Sequence, residues 1–196
     1  MLCSIRLATL FNALILSLLL TFIYFACMQN IFLPLGDLLA DSFLRSLAID
    51  WLRNIPGLPP ILQSIHILAV AAVMASAVLI HLRSLGIAVS QQTLAELYQR
   101  MRLWFWVALP VLFFSGILFI FARPYRYFKN PVFGFKLLFM ALAIALTWWI
   151  FHTIKRQSML SRSWAFKLTN ALALACWLLV IFAGRWIAYA EYLFPR

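Results

Sequence analysis

Long apolar runs alternate with short polar segments along most of the chain. The runs cover about residues 7–28, 60–82, 103–122, 131–154 and 168–190. A helix rises about 1.5 Å per residue, so about 20 apolar residues cross a hydrocarbon core of about 30 Å. The apolar positions are continuous and do not alternate with period two, which favours helices over a barrel. The pattern therefore predicts an all-α integral membrane protein, a helical bundle with five transmembrane helices.

The segment between the first two runs does not predict a crossing helix. Asp37 can cap a helix that continues to about residue 54, and apolar residues recur on one side of it at every fourth position. These positions are Leu39, Phe43, Leu47 and Trp51. Asp41 and Arg45 lie one turn apart on another side and predict a favourable pair. We therefore predict an interfacial amphipathic helix over residues 37–54, lying in the membrane plane.

The chain divides into an N-terminal anchor and a larger membrane domain. The first apolar run is longer than the core of a typical signal peptide, and the bulky Tyr24 fits a cleavage site poorly. We therefore interpret residues 1–30 as an uncleaved transmembrane anchor. Residues 60–190 then form a four-helix transmembrane domain.

Composition and charge support this interpretation. The chain is 66% hydrophobic and only 11% charged, with a mean hydropathy of +0.98, whereas about a quarter of a soluble domain is charged. A net charge of +11 would indicate nucleic acid in a soluble protein. Here most Lys and Arg residues lie between apolar runs, where they contact anionic lipid headgroups, so we predict a lipid bilayer and no nucleic acid as partner. A small excess of cations on the N-terminal side predicts a cytoplasmic N-terminus.

Motifs of common enzyme classes are absent from the sequence. It has no P-loop, dinucleotide-binding, nucleophile-elbow or zinc-protease motif, so we assign no catalytic residue. The acidic residues lie outside the apolar runs or at their edges, whereas an ion-coupled transporter usually needs a carboxylate at the midplane. The three cysteines have no CxxC or paired spacing, which indicates neither a disulfide framework nor a thiolate metal cage.

Three histidines and one arginine are the main candidates for chemistry within the membrane. His66 lies near the start of the second run and His81 near its end, about 22 Å apart along a helix. His152 lies near the end of the fourth run, and Arg185 lies in the last turns of the fifth. Since successive spans alternate in direction, we expect His81 and His152 at one face of the membrane. His66 and Arg185 are expected together at the other face.

These two clusters fit the binding of a cofactor. Neutral imidazole is the usual axial ligand of haem iron, and membrane b-type cytochromes hold haem between histidines on neighbouring helices. The candidate metal ligands are therefore His66, His81 and His152, with b-type haem as the leading cofactor. The planar guanidinium of Arg185 could hold a haem propionate, a quinone oxygen or a lipid phosphate. The candidate cofactor-binding residues are Arg185, Trp186 and Tyr189.

Simpler interpretations of the same residues stay open. A histidine near the end of a membrane helix can be a hydrogen-bonded interfacial residue, Arg185 can extend to the headgroups, and tryptophans form aromatic belts. Copper handling through His66 and the outer face is one alternative function. Met74 and Met140 could be soft ligands, but they are single methionines without a repeated spacing, and Met74 lies about 80° from the His66 side of the helix. A cofactor-free membrane subunit or scaffold is another, in which the small residues Ala71 and Ala75 pack closely against another helix and dock a partner subunit or a second copy.

A series of short motifs lies between about residues 43 and 189. They are Ile65-His66-Ile67-Leu68, Leu82-Arg83-Ser84-Leu85-Gly86, Ser115-Gly116 with Phe119, Asn130-Pro131 with Phe133 and Lys136, Phe151-His152, and Gly184-Arg185-Trp186-Ile187-Ala188-Tyr189. Together they resemble a family of bacterial inner-membrane proteins of unknown function and, more loosely, copper-resistance membrane proteins of the D type. The resemblance implies a four-helix unit with an N-terminal addition. It also implies that an aspartate usually stands where this chain has His81, which favours His66, His152 and Arg185 as separate sites.

Overall fold

The computed structural model describes residues 32–156 and 163–189, and the regular structure within these ranges is helical. Residues 32–40 are helical. The following elements are α1 (Phe43–Asn54), α2 (Leu58–Leu85), α3 (Leu94–Ala122), α4 (Pro124–Phe128), α5 (Pro131–Lys155), α6 (Trp164–Trp186) and a 3-10 turn (Ile187–Tyr189). The predicted anchor over residues 1–30 lies outside the described residues.

Four of these helices are long and apolar enough to cross a membrane, namely α2, α3, α5 and α6. They confirm the four later predicted spans, and the chain is a multi-pass membrane protein. The start of α5 is also confirmed, because the Asn130 side chain accepts a hydrogen bond from the Val132 amide at 3.0 Å and Pro131 follows it.

Helix α3 begins well before the predicted apolar run because its first turns are polar. Thr93 and Glu96 form a capping box there. The Thr93 hydroxyl accepts from the Glu96 amide at 3.3 Å, and the Glu96 carboxylate accepts from the Thr93 amide at 3.0 Å. Two otherwise unpaired amide groups are thereby satisfied, so the helix extends beyond the hydrocarbon into the polar segment.

The predicted in-plane helix is interrupted at Asp41 and Ser42. Ser42 caps α1, since its hydroxyl accepts from the Arg45 amide at 3.4 Å. The prediction of one continuous helix capped by Asp37 is therefore wrong. Asp37 lies within the helix at 32–40 instead. Partial desolvation and the Asp37 carboxylate raise the pKa of Tyr125.

The segment at 32–54 keeps the amphipathic character that its sequence predicts. Ala48 is the buried residue of α1, whereas Phe43 is 76% exposed on its outer side. Large apolar side chains that face away from a bundle are typical of a helix lying against lipid. Arg45 donates to the Ala40 carbonyl at 3.0 Å across the break between the two helices.

The four long helices form an antiparallel bundle. Helix α2 packs against α3 and α6, while α5 packs mainly against α6, so α2 and α5 are diagonal to each other. We call the two ends of the bundle the His66 end and the His81 end. The His66 end contains the starts of α2 and α5 and the last turns of α3 and α6. The opposite termini of these helices form the His81 end.

The small residues of α2 pack on a different side from the one predicted. Its buried positions include Ala69, Val73 and Ala77, whereas Ala71 and Ala75 are exposed. The close helix contact predicted at Ala71 and Ala75 is therefore not made within the described part of the chain. Both alanines lie on the outer surface of the bundle.

Candidate functional site

His66 is held at its ring by the neighbouring helix α3. It lies about two turns into α2, and its Nδ1 is 2.9 Å from the Ser115 hydroxyl oxygen. The Ser115 hydroxyl also lies 2.6 Å from the Val111 carbonyl and 3.2 Å from the Leu112 carbonyl. Ser115 is buried, so all three contacts lie inside the bundle.

The hydrogen bonds of Ser115 fix which nitrogen of neutral His66 carries the proton. A hydroxyl has a single proton, and the short contact to the Val111 carbonyl uses it. The Ser115 oxygen therefore accepts from His66, which places the imidazole proton on Nδ1. The lone pair then lies on Nε2, which makes no hydrogen bond with the described residues.

Gly116 allows the imidazole to lie directly against α3. A Cβ at this position would stand 3.1 Å from Cε1 of His66 and 3.5 Å from Nδ1. Contacts this short require the ring to move, so a side chain at residue 116 would displace it. Ser115 and Gly116 together set the position and the tautomer of His66.

Lys136 lies in the second turn of α5, at the same end of the bundle as His66. It is half-buried. A Cβ at Gly184 would stand 3.6 Å from the ammonium nitrogen, an ordinary van der Waals distance, so Lys136 lies against the last turn of α6. The His66 end thus combines an imidazole with a lone pair and a cation inside the bundle.

The residues predicted to bind a cofactor at the end of α6 lie further out. The Arg185 guanidinium donates to the Tyr189 hydroxyl at 3.3 Å and lies 5.5 Å from the centre of its ring. Arg185, Trp186 and Tyr189 are all exposed, as residues at a membrane–water interface are expected to be. Arg185 thus lies on the outer surface at this end of the bundle, whereas Lys136 is half-buried.

His81 is fully buried at the opposite end of the bundle. Its Nδ1 lies 3.0 Å from the Asn170 carbonyl oxygen, and its Nε2 lies 3.4 Å from the Thr147 hydroxyl. The Asn170 amide nitrogen donates to the Phe166 carbonyl at 2.8 Å, which orients its oxygen towards His81. Trp177 donates to the Thr147 oxygen at 3.0 Å.

These bonds form one internally consistent network, which we call the buried polar junction. It consists of His81, Thr147, Asn170 and Trp177. The Asn170 oxygen accepts the Nδ1 proton of His81, Nε2 accepts from Thr147, and the Thr147 oxygen accepts from Trp177. Both ring nitrogens of His81 are therefore occupied, which gives this histidine a structural role.

His152 has a different environment from His81. It is exposed on α5, and its ring stacks on Trp148 one turn earlier, with centroids 5.8 Å apart and planes inclined by 20°. The two histidines lie near the same end of the bundle, as predicted, but one faces the interior and the other faces outward. The structure does not bring the predicted His81–His152 pair into one site.

Residues 32–156 and 163–189 contain no group of three or more His, Cys, Asp or Glu side chains arranged to hold a metal ion. A comparison of the chain with family models, curated proteins and solved structures found no match. The resemblance to the inner-membrane family therefore stays a prediction.

In the sequence, the residues of this site other than His66 appear only within the motifs that carry the family resemblance. They are Ser115, Gly116, Lys136 and Gly184. One signal could have identified Lys136, because a lysine within a membrane span is costly and marks a functional position by default. No pattern in the sequence pairs Ser115 with His66, since the two lie 49 residues apart.

Proposed function

We propose that this protein holds a b-type haem at the His66 end of its bundle, with Nε2 of His66 as a ligand of the iron, and transfers electrons within the membrane. The observation that carries the proposal is the hydrogen bond from His66 to Ser115. A histidine that ligates a metal almost always donates its other ring proton to a fixed acceptor. Ser115 is such an acceptor, and it leaves Nε2 free to coordinate iron.

Lys136 supports haem in preference to a bare copper ion. Haem contains an iron atom that the imidazole of His66 could bind and propionate carboxylates that could pair with Lys136. One cofactor would therefore account for both side chains. A copper ion near Lys136 would instead meet a like charge in a low-dielectric interior. The Met74 ligand that copper would favour lies on the half-buried part of α2 that packs against the core cluster.

Haem supplies one-electron redox chemistry when it is bound. The protein residues hold and orient it. His66 would hold the iron, Ser115 and Gly116 would fix the imidazole, and Lys136 would neutralise negative charge. The surrounding apolar helices would limit the access of water, which tunes the potential of such a site.

The membrane is proposed to be the bacterial inner membrane, with a cytoplasmic N-terminus. The excess of cations on that side supports this orientation. Reporter fusions test it: a reporter active only in the cytoplasm should be active when fused after Gly86 and inactive when fused after Lys129. The reverse pattern would overturn the orientation without affecting the haem site.

An absorption spectrum of the purified protein tests the proposed function. The full chain, produced in cells supplied with a haem precursor and extracted in mild detergent, is expected to show a Soret band with matching iron content. Protein produced without the precursor should gain the same band on titration with hemin. A protein that is colourless in both preparations would overturn the proposal.

The Ser115→Ala variant should bind haem more weakly while the bundle stays folded. It removes the hydroxyl that accepts the Nδ1 proton, and loss of such a partner typically lowers metal affinity roughly 10- to 100-fold. Titration with hemin measures the change. Ser76→Ala is the matched control, because Ser76 is also buried and its hydroxyl bonds a carbonyl of its own helix, that of Ala72, at 2.8 Å.

Equal hemin affinity in the two serine variants would contradict the role of Ser115.

A further inference from the structure

The buried polar junction holds a titratable ring in the interior of the bundle. His81 is 0% exposed, and its two hydrogen-bond partners are uncharged. The Asn170 oxygen lies 3.0 Å from Nδ1, and the Thr147 hydroxyl lies 3.4 Å from Nε2. These bonds join α2 to α5 and α6, so three of the four long helices meet at this ring.

The hydrogen bonds of the junction fit a neutral imidazole. The Asn170 side chain is oriented by its own bond to the Phe166 carbonyl, so its oxygen accepts the Nδ1 proton of His81. Trp177 donates to the Thr147 oxygen, which leaves the hydroxyl proton for Nε2. In a charged imidazole both ring nitrogens are donors. A proton on Nε2 would therefore point at the Thr147 hydroxyl proton, and the hydroxyl would have to turn away.

A charged His81 would also lack a carboxylate to pair with. Among the described residues, Asp37, Asp41 and Asp50 belong to the segment at 32–54, which leads into α2 at the His66 end. Glu96 is exposed in the capping box of α3. A buried charge without an opposite charge is strongly unfavourable, so the folded bundle opposes protonation of this ring.

The other titratable groups at this end supply no negative charge. Tyr98 is buried in the core and Cys176 packs against it, and phenol and thiol groups are uncharged near neutral pH. Arg83 donates to the Gln92 carbonyl at 2.7 Å, and His152 faces outward. The other described cations here are exposed; they are Arg100 and Arg102 on α3, Lys155 and Arg156 at the end of α5, and Lys167 on α6.

We infer that the buried polar junction is an acid-sensitive element of the fold, in which His81 takes up a proton only when the His81 end of the bundle opens. Acidification then favours the opened state. Histidine suits such a switch because its charge changes between pH 5 and 8. The inference is independent of the proposed haem site, since His81 lies at the opposite end of the bundle from His66.

Unfolding of the full-length protein in SDS at pH values from 8 to 5 tests the inference. A histidine in the unfolded chain takes up a proton below about pH 6.5, whereas His81 in the folded bundle stays neutral. Through this ring alone, the equilibrium constant for unfolding should therefore increase roughly 25-fold between pH 7 and pH 5. His81→Asn should lack this contribution, because its amide can donate to Asn170 and never becomes charged.

His152→Asn is the matched control. It removes a histidine from the same end of the bundle, but His152 is exposed, so this variant should keep the pH dependence of the wild type. The same pH dependence in the wild type and in His81→Asn would overturn the inference.

Hydrogen exchange along α6 locates the effect. After correction for the chemical exchange rate at each pH, acidification should accelerate exchange between Asn170 and Trp177 more than exchange near Gly184, at the other end of the helix. Equal acceleration at both ends would overturn the inference, because acid would then act on the whole bundle.

NMR of protein containing nitrogen-15 histidine needs no variant at position 81. The chain has three histidines, and His66→Ala and His152→Asn identify the signals of the other two. His81 should remain neutral at pH 6 in the folded protein, with its proton on Nδ1. A charged His81 ring in the folded protein at this pH would overturn the inference even if His81→Asn failed to fold.

Discussion

A His66→Ala variant is expected to purify as a folded helical protein without a Soret band, whereas His152→Ala should keep the band in full. His66 is the histidine whose tautomer leaves Nε2 free inside the bundle. His152 is exposed and stacks on Trp148, so its loss should not affect a cofactor at the other end. The absorbance ratio of the Soret band to the protein band measures the effect.

Imidazole added to His66→Ala provides a second measurement. The substitution leaves a space beside Gly116 where the ring had been, and free imidazole can enter it and coordinate iron. Recovery of the Soret band with imidazole would identify His66 as a ligand, because a defect in folding would not be repaired in this way. A band lost in His152→Ala and kept in His66→Ala would place the ligand on the outside of α5 and contradict the assignment.

The transmembrane helices could be predicted from the sequence because membrane spans obey a simple constraint. Each must bury its backbone polar groups internally over a fixed thickness, so long apolar runs leave few alternatives. The ends of the helices follow local hydrogen bonds instead. The capping box at Thr93 extends α3 into a polar segment, and Ser42 caps α1 and divides the predicted in-plane helix. The hydropathy of the sequence indicates neither the capping box nor the Ser42 cap.

The candidate site was harder to predict, because the sequence indicates how deep in the membrane a residue lies but not whether its side chain faces the interior of the bundle or the outside. Spacing along the chain correctly placed His81 and His152 near one end of the bundle and His66 and Arg185 near the other. It did not show that His152 faces outward while His81 faces the interior. The contact between His66 and Ser115 depends on how α2 and α3 are rotated against each other, which is decided by packing across the whole bundle.

Trp177→Ala is expected to destabilise the protein strongly, by about 3 kcal/mol, since replacing a buried tryptophan with alanine typically costs about 3–5 kcal/mol. Trp177 is 2% exposed, packs edge-to-face on Phe105 with ring centroids 5.9 Å apart, and donates to Thr147 in the buried polar junction. Removing it leaves a cavity between α3, α5 and α6. Unfolding of the detergent-solubilised protein in increasing SDS measures the loss.

Trp186→Ala is the control for this substitution. Trp186 lies on the same helix but is 55% exposed, so its loss should change the free energy of unfolding by less than about 0.5 kcal/mol. Trp177→Phe separates packing from hydrogen bonding, because it keeps an aromatic ring and removes the donor to Thr147. Hydrogen bonds between membrane helices contribute about 0.6 kcal/mol on average, so most of the effect of Trp177→Ala should come from packing. A Trp177→Phe variant as unstable as Trp177→Ala would show instead that the buried polar junction holds the His81 end together.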